Sequence, residues 1–85
     1  MKEKTIYKVS VDGTETELED RPPTLTDLQK AVGGYIEIVY LPQGRIMVVD
    51  EEGLCKNKPK NNKASGIVGG NICGDVVIMP EHYLE

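Results

Sequence analysis

The chain has 85 residues, with 14 acids against 10 bases, a net charge of −4, a pI near 5.0, and neither Phe nor Trp. At this length one domain is expected, burying about 60–65% of its unfolded surface, so the core is small and self-association is a natural remedy. The acidic balance disfavours a general nucleic-acid binder, which needs a basic face to displace phosphate counterions, and it is too sparse for a nucleic-acid mimic.

The apolar content is dominated by β-branched residues, which favours sheet. Cys55 and Cys73 lie far apart, without a C-x-x-C pair and with His82 as the single histidine, so a zinc site is not expected and both are read as free thiols. Nothing at the N-terminus resembles a signal peptide, so a reducing, cytoplasmic setting is expected. The longest apolar runs fall well short of the ~20 residues needed to cross a bilayer.

In chain order, Thr5 to Val11 alternate as a strand that sends Tyr7, Val9 and Val11 to one side. Asp12-Gly13 predicts a two-residue hairpin turn, and Thr14 to Leu18 return as an exposed strand with Glu15 and Glu17 toward solvent. Residues 1–20 thus form an N-terminal hairpin. Pro22 and Pro23 interrupt the ladder. Thr24 with Asp27 three residues on makes a capping box, Leu25, Leu28 and Val32 share one face, and Gly33 supplies a stop, predicting a helix of about nine residues.

Tyr35 to Leu41 is the strongest strand signal, apolar on both sides as for a central strand, with Glu37 as its one charge. Arg45 and Lys63 are its candidate cross-strand partners. The PQG loop turns this strand into Arg45–Asp50, and "DEEG" ends that one. A short helical turn opened by Asn61 or Asn62 and a last strand, "GDVVIM", follow; residues 80–85 are read as a tail, loose unless Tyr83 and Leu84 dock. The fold class is therefore α+β: a small mixed or antiparallel sheet with one main helix. A β-grasp domain is one form of this, and a bent sheet or partly open barrel is the other. The CGDVVIM run looks like the last strand of β-grasp sulfur carriers, but those need a C-terminal Gly-Gly where this sequence reads HYLE, so carrier chemistry is not expected.

Signals for catalysis are thin. His82 has no spacing that favours it as a base for Cys55, Cys73, Ser10 or Ser65. Asp50, Glu51 and Glu52 point in alternating directions at a strand end, which suits a solvated turn better than a metal or glycosidase pair. Neither VGG run matches a phosphate-binding or dinucleotide loop, and no cofactor is expected. Residues 56–65 carry Lys56, Lys58, Lys60 and Lys63 among asparagines, with no aromatic to stack a base, so what this loop offers is a place for a small anion at a short-helix start.

The ordered run Gly33-Gly34-Tyr35-Ile36-Glu37, Glu51-Glu52-Gly53, Pro59, Asn61 and Ala64, then Gly74-Asp75-Val76-Val77 resembles a family of small domains of unknown function from phages, large DNA viruses, plasmids and bacteria. The resemblance covers about the last two-thirds of the chain, leaving out residues 1–20. It implies a viral or mobile-element accessory protein and brings no catalytic residues. Glu37, Glu52, Asn61 and Asp75 then either satisfy buried backbone or line a common site. Together with Lys58, Asn62, Lys63 and Ser65 they form the candidate ligand- or partner-binding set. The function expected is non-enzymatic binding of a host component, in a self-associating protein. A sponge for a nucleotide-like anion is the alternative, and a metal enzyme using Asp50, Glu51 and Glu52 comes third.

Overall fold

The computed structural model describes residues 5–52 and 58–84. Its elements are β1 (Tyr7–Val9), β2 (Glu15–Glu17), α1 (Leu25–Val32), β3 (Ile36–Leu41), β4 (Arg45–Asp50), α2 (Asn62–Val68) and β5 (Val76–Pro80), with 3-10 turns at Pro42–Gly44 and Glu81–Leu84. The protein is a small α+β domain. Its five strands form one open sheet in the order β2-β1-β5-β4-β3, and every pairing is antiparallel. Of the two architectures expected, the open antiparallel sheet is the one present, since a mixed sheet would need a parallel pair.

The two helices lie on opposite faces. Leu28 and Val32 of α1 pack against Ile6, Ile46, Val48, Val77 and Met79. Ala64 and Val68 of α2 pack against Val9, Met47, Val49, Val76 and Ile78. Strands covered on both sides must be apolar on both sides, and the unbroken runs Ile46–Val49 and Val76–Met79 meet that need with nearly complete burial. Each such side chain contributes about 1.5–3 kcal/mol. β3 is therefore not the central strand that its apolar content suggested. It borders the sheet, where Tyr35, Glu37 and Tyr40 can remain exposed.

Local signals set α1 closely. The Thr24 hydroxyl accepts from Asp27 N–H at 3.1 Å, the Asp27 carboxylate accepts from Thr24 N–H at 3.1 Å, and Gly33 closes the helix at φ 82°. Thr24→Ala is expected to cost about 1 kcal/mol in urea denaturation. The hydrogen bond from Thr24 N–H, reinforced by the Thr24 side chain, holds the Asp27 carboxyl below its ordinary value of 3.8. A carboxyl with a depressed folded-state pKa stabilises above its unfolded pKa and loses that contribution as pH falls through the folded one. Asp27→Asn should therefore flatten the acid side of the stability profile, measured as Tm between pH 2 and 6.

The first hairpin differs from the two-residue turn expected. Ser10 N–H donates to Thr14 C=O and Gly13 N–H to Ser10 C=O, so the loop is Val11 to Gly13, and Gly13 alone is left-handed at φ 91°. A three-residue loop needs only that one positive φ. At the other end of the chain, Tyr83 packs on the α1-side core and its hydroxyl donates to Asp20, anchoring the segment read as a tail.

Candidate binding site

Most polar residues suspected from the sequence prove to hold the fold. Asn61 is fully buried; its Nδ2 donates to Val9 C=O at 3.0 Å and Gly74 C=O at 2.9 Å, and its Oδ1 accepts from Ala64 N–H at 3.0 Å. It is thus the N-cap of α2 and a cross-link between β1 and the approach to β5. Asn62, exposed, is the first helical residue. Ser65 Oγ donates to Ile72 C=O at 3.2 Å and accepts from Ile72 N–H at 2.9 Å. The Asp75 carboxylate accepts from Val11 N–H at 3.1 Å and lies 3.4 Å from Lys8 Nζ.

Lys58 crosses from the loop to the end of α1. Its Nζ donates to Val32 C=O at 2.6 Å and to Asp50 Oδ2 at 2.5 Å, beneath a side chain of Asp50 that is fully buried. Asp50 Oδ1 also accepts from Glu52 N–H at 2.8 Å. Glycines make room for this lysine. A Cβ on Gly74, at φ 83°, would lie 2.9 Å from Lys58 Cδ, and one on Gly33 would lie 3.0 Å from Nζ.

Lys63 pairs with Glu15 at 2.9 Å, tying α2 to the N-terminal hairpin. Arg45 donates to Thr5 C=O and lies over the Tyr7 ring at 5.7 Å. Neither therefore serves Glu37, which is exposed on β3 opposite Val49. Asp50 points inward to Lys58 while Glu51 and Glu52 are exposed, and among the described residues no group of His, Cys, Asp or Glu is arranged to hold a metal. Cys55 and Lys56 lie outside the described residues. Cys73 is a half-buried free thiol, and its backbone forms an isolated antiparallel β-bridge with that of Lys60. His82 is exposed, edge-on to Tyr83. Among the described residues no helix is long and apolar enough to cross a membrane.

Among the described residues a cleft lies between α1 and the β1–β2 hairpin. α1 lies over β3, β4 and β5, so the α1-facing side of the hairpin is left partly open. A hollow of about 400 Å³ results, with Ile6, Leu18 and Ala31 at its floor and Lys8, Arg21 and Lys30 on its rim. Arg21 is held by Glu19 at 2.7 Å and approaches Asp27 at 3.9 Å, whereas Lys30 makes no ion pair among the described residues. An adjoining hollow of about 340 Å³ brings Lys8, Lys30 and Lys58 together beside Asp75. A third, of about 470 Å³, sits beside Tyr40, and the described residues that wall it, Gly44, Glu81, His82 and Leu84, are exposed. The first has an apolar floor with a charged rim, the usual composition of a binding site.

Residues 1–82 match the family described as Domain of unknown function (DUF3846). The chain belongs to the DUF3846 family. No curated protein and no solved structure matches it. The DUF3846 match includes the N-terminal hairpin that the motif resemblance left out, so both walls of the cleft lie within the family's unit. None of the cleft's rim residues stood in the candidate set read from the sequence. The available signal was Lys30 and Ala31 on the helix face beside Leu28, which points to a neighbouring wall only once the hairpin's position is known.

Proposed function

We propose that this DUF3846 domain is a non-enzymatic accessory protein of a virus or mobile element, acting in the cytoplasm by binding a host component and so counteracting host defence. The cleft between α1 and the β1–β2 hairpin supports this reading, because its apolar floor and two-signed rim suit a protein segment with mixed apolar and acidic character. The motif similarity to phage and plasmid domains supports the setting. Affinity capture during infection, run in parallel with wild type, Lys30→Glu and Ala31→Arg, tests it. A host protein retained by wild type and lost at least tenfold with both folded variants is expected. Equal capture by all three forms would remove the cleft from the reading.

A second reading, a sponge for a small phosphate-bearing ligand, draws on the convergence of Lys8, Lys30 and Lys58 in the adjoining hollow. Lys60 and Asn62 are exposed nearby in sequence, whereas Lys58, Asn61, Lys63 and Ser65 are engaged within the fold, so Lys30 is the cation of this hollow that makes no ion pair among the described residues. Thermal-shift measurements with mono-, di- and cyclic nucleotides decide between the readings: a dose-dependent rise in Tm that Lys30→Glu abolishes would favour the sponge.

A further inference from the structure

β3 is six residues long and borders the sheet. Along an antiparallel pair, residues that exchange both backbone hydrogen bonds with the neighbouring strand alternate with residues whose N–H and C=O point away from it. Glu51 N–H donates to Tyr35 C=O at 3.0 Å, and the register continues through Glu37 with Val49, Val39 with Met47 and Leu41 with Arg45. These residues bond to β4. The amides and carbonyls of Ile36, Ile38 and Tyr40 therefore face outward, and among the described residues no other strand takes them up.

We infer that β3 is where two copies of this chain pair, antiparallel about a two-fold axis through Ile38, joining two five-stranded sheets into one. This axis sets Ile38 opposite the partner's Ile38 and Ile36 opposite the partner's Tyr40, so all the outward amides and carbonyls of these three residues find mates. Moving the axis to Val39 sets Ile36 opposite Pro42, which has no N–H to give. Moving it to Glu37 sets two carboxylates directly opposite each other, an unfavourable cross-strand pair.

Side chains agree with the same register. On the α1 face Ile38 meets the partner's Ile38, and Ile36 meets the partner's Tyr40. On the other face Tyr35 meets the partner's Leu41, and Glu37 meets the partner's Val39. Tyr35 and Tyr40, 68% and 67% exposed in the single chain, both gain apolar neighbours. The opposite border offers nothing similar: β2 is Glu15-Thr16-Glu17, and pairing it with itself about Thr16 sets acid against acid. A long apolar edge left open is otherwise a route to uncontrolled association. Two paired strands make a small interface, so the dimer belongs in the micromolar range. The two Glu37 residues are diagonal neighbours, about 7–8 Å apart along the backbone, and salt screens their exposed carboxylates.

The dimer leaves the cleft free at each outer end, so it stands or falls independently of the binding reading. Sedimentation across concentration, combined with amide hydrogen exchange by NMR, tests it. A monomer–dimer equilibrium at tens of micromolar is expected, with the Ile36, Ile38 and Tyr40 amides gaining protection as concentration rises. The Glu37, Val39 and Leu41 amides stay protected throughout. Glu37→Thr should tighten the dimer several-fold at low salt, and a folded Ile38→Pro should be monomeric. A strict monomer at hundreds of micromolar overturns the inference. So does a dimer in which the three outward amides exchange freely, or one that a folded Ile38→Pro leaves intact.

Discussion

Asn61→Ala is expected to lower stability by about 3–5 kcal/mol, the sum of a lost helix cap, two lost buried hydrogen bonds and a small void. The whole domain, at 85 residues, has roughly 4–13 kcal/mol to lose. The variant should therefore be largely unfolded or show Tm lowered by about 15–30 °C, read by circular dichroism. The reason is geometric. One amide satisfies Val9 C=O, Gly74 C=O and Ala64 N–H at once, in a place with no access to water. Asn61→Asp keeps the shape and the cap but turns an oxygen toward two carbonyls. Its carboxyl would be favoured in the protonated form, so this variant should gain stability as pH falls through its raised folded-state pKa. Asn62→Ala, one residue on and exposed, should change stability by less than about 0.5 kcal/mol. Equal effects at the two positions would contradict the structure.

Lys58→Met is expected to cost about 2–4 kcal/mol, because it strips the cation from the buried Asp50 carboxylate and the donor from Val32 C=O at the end of α1. The lower part of the range for a buried pair applies, since the Lys58 side chain retains 22% exposure. Asp50→Asn in the same background should restore part of the loss, and a double-mutant cycle in urea should give a coupling of at least about 1 kcal/mol. A cost near zero for Lys58→Met would show that this lysine is solvated and free for a ligand. Both experiments address the same question from two sides: whether residues 58–65 bind something or close the fold. Hydrogen bonds and ion pairs hold Lys58, Asn61, Lys63 and Ser65 within the fold, while Lys60 and Asn62 are exposed.

Much of the local structure was legible because it depends on near neighbours. The Thr24–Asp27 capping box and Gly33 stop bound α1 to within a residue of the expectation, and "NNK" opened α2 at one of the two asparagines named for it. Strand segments followed their apolar patterning. What misled was position. Tyr35–Leu41 looked central because it is apolar on both sides, yet the strands that are covered on both sides are those with no aromatic or charge interrupting the run. An exposed edge tolerates Tyr40 and Glu37, and nothing in a six-residue window distinguishes a strand flanked by two neighbours from one at the border of the sheet.

The polar motif residues show the same division. The motif order marked Glu37, Glu52, Asn61 and Asp75 as either satisfying buried backbone or lining a site; Asn61 and Asp75 do the first, Glu37 and Glu52 are exposed, and the inward Asp50–Lys58 pair was not marked, having been read as a solvated turn and a loop lysine. Which partners they take depends on separations that local pattern does not carry: Asn61 to Val9 spans 52 residues, Asp75 to Val11 spans 64, and Lys58 to Val32 spans 26. By itself the sequence determined the element types, their caps and the acidic, sheet-rich class of the domain, all of them set by spacing and composition within a few residues. Only the tertiary structure decided the strand order, the inward turn of Asp50, Lys58 and Asn61, and the cleft between α1 and the first hairpin, because each of these arises when segments distant in the chain must satisfy one another's buried groups.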